Sequence, residues 1–202
     1  FLIFFPFIKT KLITHSLYIH ISRGVCLFFA ALFFFIGFTK TDLANATAIY
    51  KTSPIFLTLG SIFFLKESNF IVIKFLTVFL ALIGALIIIN PSSSSFSIYS
   101  FFPLFAAISL AIFGLITRYF GERENPFTSI IYTALTGTIL SSFLFAFFDW
   151  KSFVMQDIPF FVVIGIVSTL GHFLLIKAFQ IEEASNLASF STVVIFFNTL
   201  WG

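Results

Sequence analysis

The sequence predicts an all-α fold, a polytopic transmembrane helical bundle. Three observations carry that reading. The chain of 202 residues is 59% hydrophobic and only 9% charged, against about 25% charged residues in a typical soluble domain. Its mean hydropathy is +1.11. Its apolar residues fall in runs of roughly 20, the length that crosses a bilayer core as a helix, and short polar joints separate the runs.

Taken in order, positions 1–8 read as the tail of one span, followed by spans at 22–38, 46–65, 70–89, 98–117, 127–148, 159–179 and from 187 onward. The joints read "KTKLITHS", "TKTDLAN", "KES", "NPSSSS", "YFGEREN", "DWKSFVMQD" and "QIEEASN". The serine run after Pro91 is the longest polar pause and divides the chain into two parts, 1–91 and 96–202. The chain opens at Phe1 and closes at Gly202 inside apolar runs, so it is expected to be a piece of a longer protein. The 11 Lys and Arg residues divide unevenly between alternate joints. One set holds Lys9, Lys11, Arg23, Lys66, Lys74, Arg118, Arg123 and Lys177; the other holds Lys40, Lys51 and Lys151. The richer set should be cytoplasmic, leaving "NPSSSS" outside.

Displacing the sequence by 141 positions aligns the two parts without a gap. Gly24 meets Gly165, Phe38 meets Phe179, Asn45 meets Asn186 and Thr58 meets Thr199, and spans and joints coincide. The shift carries each span to the fifth after it. An odd number means that the copies enter the membrane in opposite directions, a construction common in secondary transporters. The expectation is two inverted five-helix repeats, ten spans and about 280–300 residues in the whole protein.

Ionisable groups inside a bilayer are costly and are functional candidates by default. Every Asp and Glu falls in a joint or at a span end, so a mid-membrane carboxylate relay is not expected. On the span from Ala46, the residues Thr47, Lys51, Pro54, Thr58 and Ser61 follow spacings of 4, 3, 4 and 3 and should share one face. Pro54 leaves a carbonyl free, tolerable in a membrane where something polar meets it. Lys51 is expected at the mouth of a central cavity, attracting an anionic or zwitterionic substrate with Thr47 and Tyr50 nearby; snorkelling to the surface is the alternative. His172 lies mid-span on a face shared with Gly165 and Ser168. The substrate-binding candidates are therefore Thr47, Tyr50, Lys51, Pro54, Thr58, His172, Thr192 and Asn198. Thr133, Gly137 and Ser141, four apart, read as a stripe for close helix packing, and Lys177 as an interfacial anchor.

Other chemistries have little support. The single Cys26 excludes an internal disulfide and a cysteine metal cluster. His15 and His20 lack metal-ligand spacing, no nucleophile–base pair appears, and Asn45-Ala46-Thr47 abuts a span and is discounted as a glycosylation site. No catalytic residue, metal or cofactor is expected, and the partners are a small-molecule substrate and membrane lipids, with no nucleic acid. The charged joint "RYFGERENP" reads as a solvated loop. A membrane-embedded enzyme or a non-transporting scaffold is the alternative to a carrier.

The stretch "SRGVCLFFAALFFFIGFTKTDLANATAIYKTSPIFLTLGSIFFLKE", with Arg23-Gly24, the Ala46–Ala48 entry, Pro54 and the closing Lys66-Glu67, resembles the third and fourth spans of the EamA-type drug/metabolite transporter superfamily. Gly84 with "IIINP" is similar to the family's fifth span, and "GHFLLIKAFQIEEAS" with "LWG" to its eighth and ninth. The resemblance implies the latter part of a first EamA-like repeat at 1–91 and the early part of a second at 96–202. It also implies a secondary transporter of a small metabolite (amino-acid, vitamin or nucleoside-like) working by alternating access in the bacterial inner membrane. Lys51 is not part of the family pattern.

Overall fold

A computed structural model describes residues 14, 16–67, 71–89, 98–121, 124–145 and 154–191. Among them all regular structure is helical: α1 Leu17–Lys40, α2 Leu43–Tyr50, α3 Ser53–Leu65, α4 Ile71–Ile89, α5 Phe101–Gly121, α6 Pro126–Phe145, α7 Ile158–Ile181 and α8 Ala184–Ser191, with short 3-10 turns leading into α5 and α7. Five helical segments are long and apolar enough to cross a membrane: α1, the α2–α3 pair (Leu43–Leu65), α5 with its leading turn, α6, and α7 with its own. The protein is a polytopic helical bundle.

The expected span at 46–65 is one crossing made of two helices. Lys51 and Thr52 interrupt it: the Thr52 N–H donates to Ile49 O at 3.0 Å, three residues back, and the Thr52 hydroxyl bonds the same oxygen at 2.6 Å. Pro54 then stands in the first turn of α3, where its missing N–H costs nothing. The face inferred from the 4-3-4-3 spacing is therefore not continuous. Thr47 and Lys51 are half-buried before the break, whereas Pro54, Thr58 and Ser61 are buried after it.

α5 is the element that the others pack against. It lies against α1 most extensively, and also against α2, α3 and α7. Its buried face is mostly small: Pro103, Ala106, Ala107, Ala111, Gly114, Thr117 and Gly121, with Phe113 the bulky exception. Helices in lipid gain no hydrophobic drive by touching, so small residues that admit close backbone approach dominate their contacts. Gly37 of α1 shows how close: a Cβ there would lie 2.5 Å from the Pro103 ring. The large apolar side chains point outward instead, among them Val72, Ile87, Phe143, Phe160 and Val167, as a lipid-facing surface requires.

Contacts fix the helix directions. Gly37 meets Pro103 while Arg23 meets Thr117, so α1 and α5 are antiparallel. Phe113 meets His172 while Arg118 meets Phe179, so α5 and α7 are parallel. It follows that α1 and α7 run in opposite directions. Their boundaries also correspond: Leu17 and Ile158, Lys40 and Ile181, and the α2 and α8 starts at Leu43 and Ala184 are each separated by 141 positions.

At one end of the bundle the joints are tied together by charge. Arg118 at the end of α5 pairs with Glu67 beyond α3 at 3.1 Å and donates to Phe179 O, in the last turn of α7, at 2.9 Å. Lys74 of α4 pairs with Glu183 and donates to the Ser185 hydroxyl. Gln180 donates to Gly121 O at 2.6 Å and Glu124 O at 3.0 Å. The joint read as a solvated loop is thus partly locked into the bundle through Arg118, Gly121 and Glu124; Glu122 and Arg123 lie outside the described residues. Removing one partner of a largely buried ion pair strands the other. Arg118→Ala should therefore lower the unfolding free energy of the full-length protein by about 3 kcal/mol, with a smaller additional loss when Glu67→Ala is combined with it. Denaturant titration of the four members of that double-mutant cycle checks this.

Candidate substrate cleft

Four helices, α1, α5, α6 and α7, surround a cleft of about 410 Å³, within the range of small-molecule sites. Its position follows from a difference in packing. Gly24 on α1 is filled by a neighbour, since a Cβ there would lie 2.5 Å from the Thr136 Cβ on α6. Gly137 on α6 and Gly165 on α7 have nothing within 4 Å of where a Cβ would sit, and both line the cleft. Where α6 and α7 face each other, their small residues meet space and not each other.

The walls combine apolar side chains, including Leu27, Phe28, Ile130 and Ile176, with the hydroxyls of Thr133, Ser141, Ser168 and Thr169. Thr133 Oγ1 is buried without a hydrogen-bond partner among the described residues. The stripe Thr133-Gly137-Ser141, expected to pack against another helix, lines the cleft instead. A groove along α6 continues from it past Thr138 and Ser142.

One end of the cleft is cationic. Arg23 sits six residues inside α1, about 9 Å along its axis, and is 3% exposed. Its Nε donates to Thr117 Oγ1 on α5 at 3.1 Å, and that hydroxyl in turn donates to Phe113 O at 2.6 Å. The guanidinium carbon lies 5.4 Å from the Phe113 ring centroid, a cation–π contact. Nη2 is buried and has no partner among the described residues. His172 meets the same Phe113 ring edge-on at 6.3 Å and lines the cleft. One turn before Arg23, the buried His20 stacks on Tyr132 at 5.4 Å and lies 3.5 Å from the Glu124 carboxylate, which also accepts a bond from Thr14 at 3.0 Å.

Of the substrate-binding candidates read from sequence, His172 lies in the cleft. Thr47, Tyr50, Lys51, Pro54 and Thr58 do not line it. Tyr50 packs its ring 4.8 Å from Phe34 of α1, and Pro54 and Thr58 are buried on α3, which packs on α5 and α8. Thr192 and Asn198 lie outside the described residues. Arg23 is the residue that sequence reasoning missed. It was assigned to a cytoplasmic joint because the span was started at 22; "LYIHIS" ahead of it is apolar enough to extend the helix, and that was the available signal. Among the described residues no group of three His, Cys, Asp or Glu side chains could hold a metal ion.

Known proteins with similar sequences bear on the whole chain. A sequence profile described as the EamA-like transporter family matches residues 97–202. The S-adenosylmethionine uptake transporter of Rickettsia bellii is 26% identical over 94% of the chain and 66% of its own length. The pseudopaline exporter of Pseudomonas aeruginosa is 30% identical over 89% of the chain and 63% of its own length. The riboflavin transporter of Brucella anthropi is 28% identical over 81% of the chain and 59% of its own length. The chain therefore spans at most about two thirds of these relatives. With a matched profile covering more than half of its residues, the chain belongs to the EamA-like transporter family.

Proposed function

We propose that the full-length protein is a secondary transporter that moves a small metabolite across the bacterial inner membrane by alternating access. The cleft between α1, α5, α6 and α7 is its substrate site. The observation that carries this reading is the cleft itself: a space of about 410 Å³ between four apolar helices, open where the small residues of α6 and α7 leave it unfilled and Ser141, Gly165 and Ser168 are exposed, with a buried arginine and a histidine at one end. Such a space weakens the packing of α6 on α7, and an occupant explains why the chain keeps it.

Two inverted repeats underlie the mechanism we propose. The 141-residue correspondence of helix ends and the opposite directions of α1 and α7 support that arrangement, which lets one site face either side in turn. In this reading His172 is a substrate contact. The α2–α3 break, carrying Thr47, Tyr50 and Lys51, is where that crossing bends as the site changes its exposure. The relatives differ in cargo and in direction, two named for uptake or transport and one for export, so neither property passes from them to this chain.

Two experiments test the reading. In cells carrying the full-length protein with Cys26→Ser, an impermeant thiol reagent should label Asp42→Cys from outside and Asn125→Cys only after permeabilisation; the opposite pattern reverses the assigned orientation. In proteoliposomes, flux of at least one member of a metabolite panel should be seen and should fall about tenfold or more in Gly137→Leu. A Cβ at this position would meet nothing within 4 Å, so a larger side chain can start there and extend into the site without displacing the helix backbones. Undiminished flux in Gly137→Leu places the substrate route elsewhere.

A further inference from the structure

We infer that Arg23 is the anchor for a carboxylate, so that the substrates of this site are small amphiphilic carboxylic acids. The inference rests on the transport reading above for what happens after binding, but its observations are independent of it.

The guanidinium carries five N–H donors in a fixed fork. Among the described residues its hydrogen bonding is limited to Nε on Thr117, and it has no carboxylate within ion-pairing distance. Glu124, the acid of the neighbouring joint, has its oxygens directed at His20 and Thr14. A cation this deeply buried in apolar surroundings costs several kcal/mol unless it is paired and hydrogen-bonded. The Thr117 bond and the Phe113 face hold the group in place but leave Nη2, buried where Arg23 lines the cleft, without a partner among the described residues. A carboxylate reaching the guanidinium from the cleft would supply the missing acceptor, and the planar fork can meet it in two parallel hydrogen bonds.

The cleft also limits the charge and the body of the ligand. Arg23 is the one permanently charged side chain among its lining residues; His172 is the other that can carry charge. A single guanidinium balances a monoanion, whereas a phosphate dianion would bring a second charge into apolar walls. The rest of the lining combines Leu27, Phe28, Ile130 and Ile176 with hydroxyls and glycines, which suits an apolar body with few polar groups. Lys51, the residue expected to attract an anion, lies outside this cleft, so the anionic recognition passes to Arg23.

Binding of phenylacetate, phenylacetamide and phenyl phosphate to the full-length protein in nanodiscs of neutral lipid tests the inference. Phenylacetate should bind about tenfold or more tightly than either other probe, the discrimination a charged hydrogen-bonded contact gives. Arg23→Gln should abolish the preference for acid over amide, and Arg23→Lys should retain part of it. Gly137→Leu should abolish phenylacetate binding; it tests the site should Arg23→Gln fail to fold. Equal binding of acid and amide, tighter binding of phenyl phosphate, an acid preference that survives Arg23→Gln, or phenylacetate binding that survives Gly137→Leu would each overturn the assignment. Flux measured on the same preparations separates the two claims. Acid-selective binding without flux of any metabolite contradicts the transporter and upholds the anchor; flux with equal acid and amide binding does the reverse.

Discussion

Close approach of helix backbones is the constraint on which this structure depends. In hydrocarbon, an apolar side chain gains as much from lipid as from another helix, so cohesion comes from contacts that only small residues permit. α5 supplies the small face, and Gly24 and Gly37 let α1 settle on α6 and α5 with no room for a side chain. Gly137 and Gly165 are the same residue type in the opposite circumstance. Nothing fills the space before them, and that unfilled strip between α6 and α7 is the cleft. On α1, α6 and α7 the contrast is between Gly24 and Gly37, which are covered and hold the bundle, and Gly137 and Gly165, which line the cleft.

Charge is used in two ways within this frame. At the joint end, Arg118 with Glu67 and Lys74 with Glu183 are matched pairs that lock α3, α4, α5, α7 and α8 together. Arg23 lies on the same side but deeper, and is held by a hydroxyl and an aromatic ring, with no carboxylate within ion-pairing distance among the described residues. Matched pairs give cohesion. A cation fixed in position with a donor unmatched is the arrangement proposed for recognition. The separation between them is small: Thr117, which holds Arg23, and Arg118, which pairs with Glu67, are consecutive residues of α5, so occupation of the cleft and integrity of the end network bear on the same helix terminus.

Much of the fold was legible from residue pattern. Apolar runs of the right length predicted the crossings, because a bilayer leaves the backbone little choice but helix. The register between the two parts anticipated helix ends that the structure places 141 residues apart at three separate boundaries. The site was less legible, for identifiable reasons. Lys51 and Pro54 stood out as polar and kinking residues in an apolar run, but the break at Thr52 divides their face. Thr133, Gly137 and Ser141 gave the pattern of a packing stripe, and sequence spacing does not distinguish a stripe that meets a partner from one that meets a cavity. Arg23 was hidden by a boundary error of five residues, enough to turn a buried cation into a joint residue. His172 was singled out because a mid-span histidine is conspicuous in any register, and it lines the cleft.

The most direct test of the cleft as the transport site uses Ser168, which lines it from α7. In full-length protein carrying Cys26→Ser and Ser168→Cys, flux into proteoliposomes is measured before and after quantitative reaction with a bulky thiol reagent. A site in the cleft requires that modification abolish flux and that excess transported metabolite slow the modification. Full flux after complete modification would show that the substrate passes by another route.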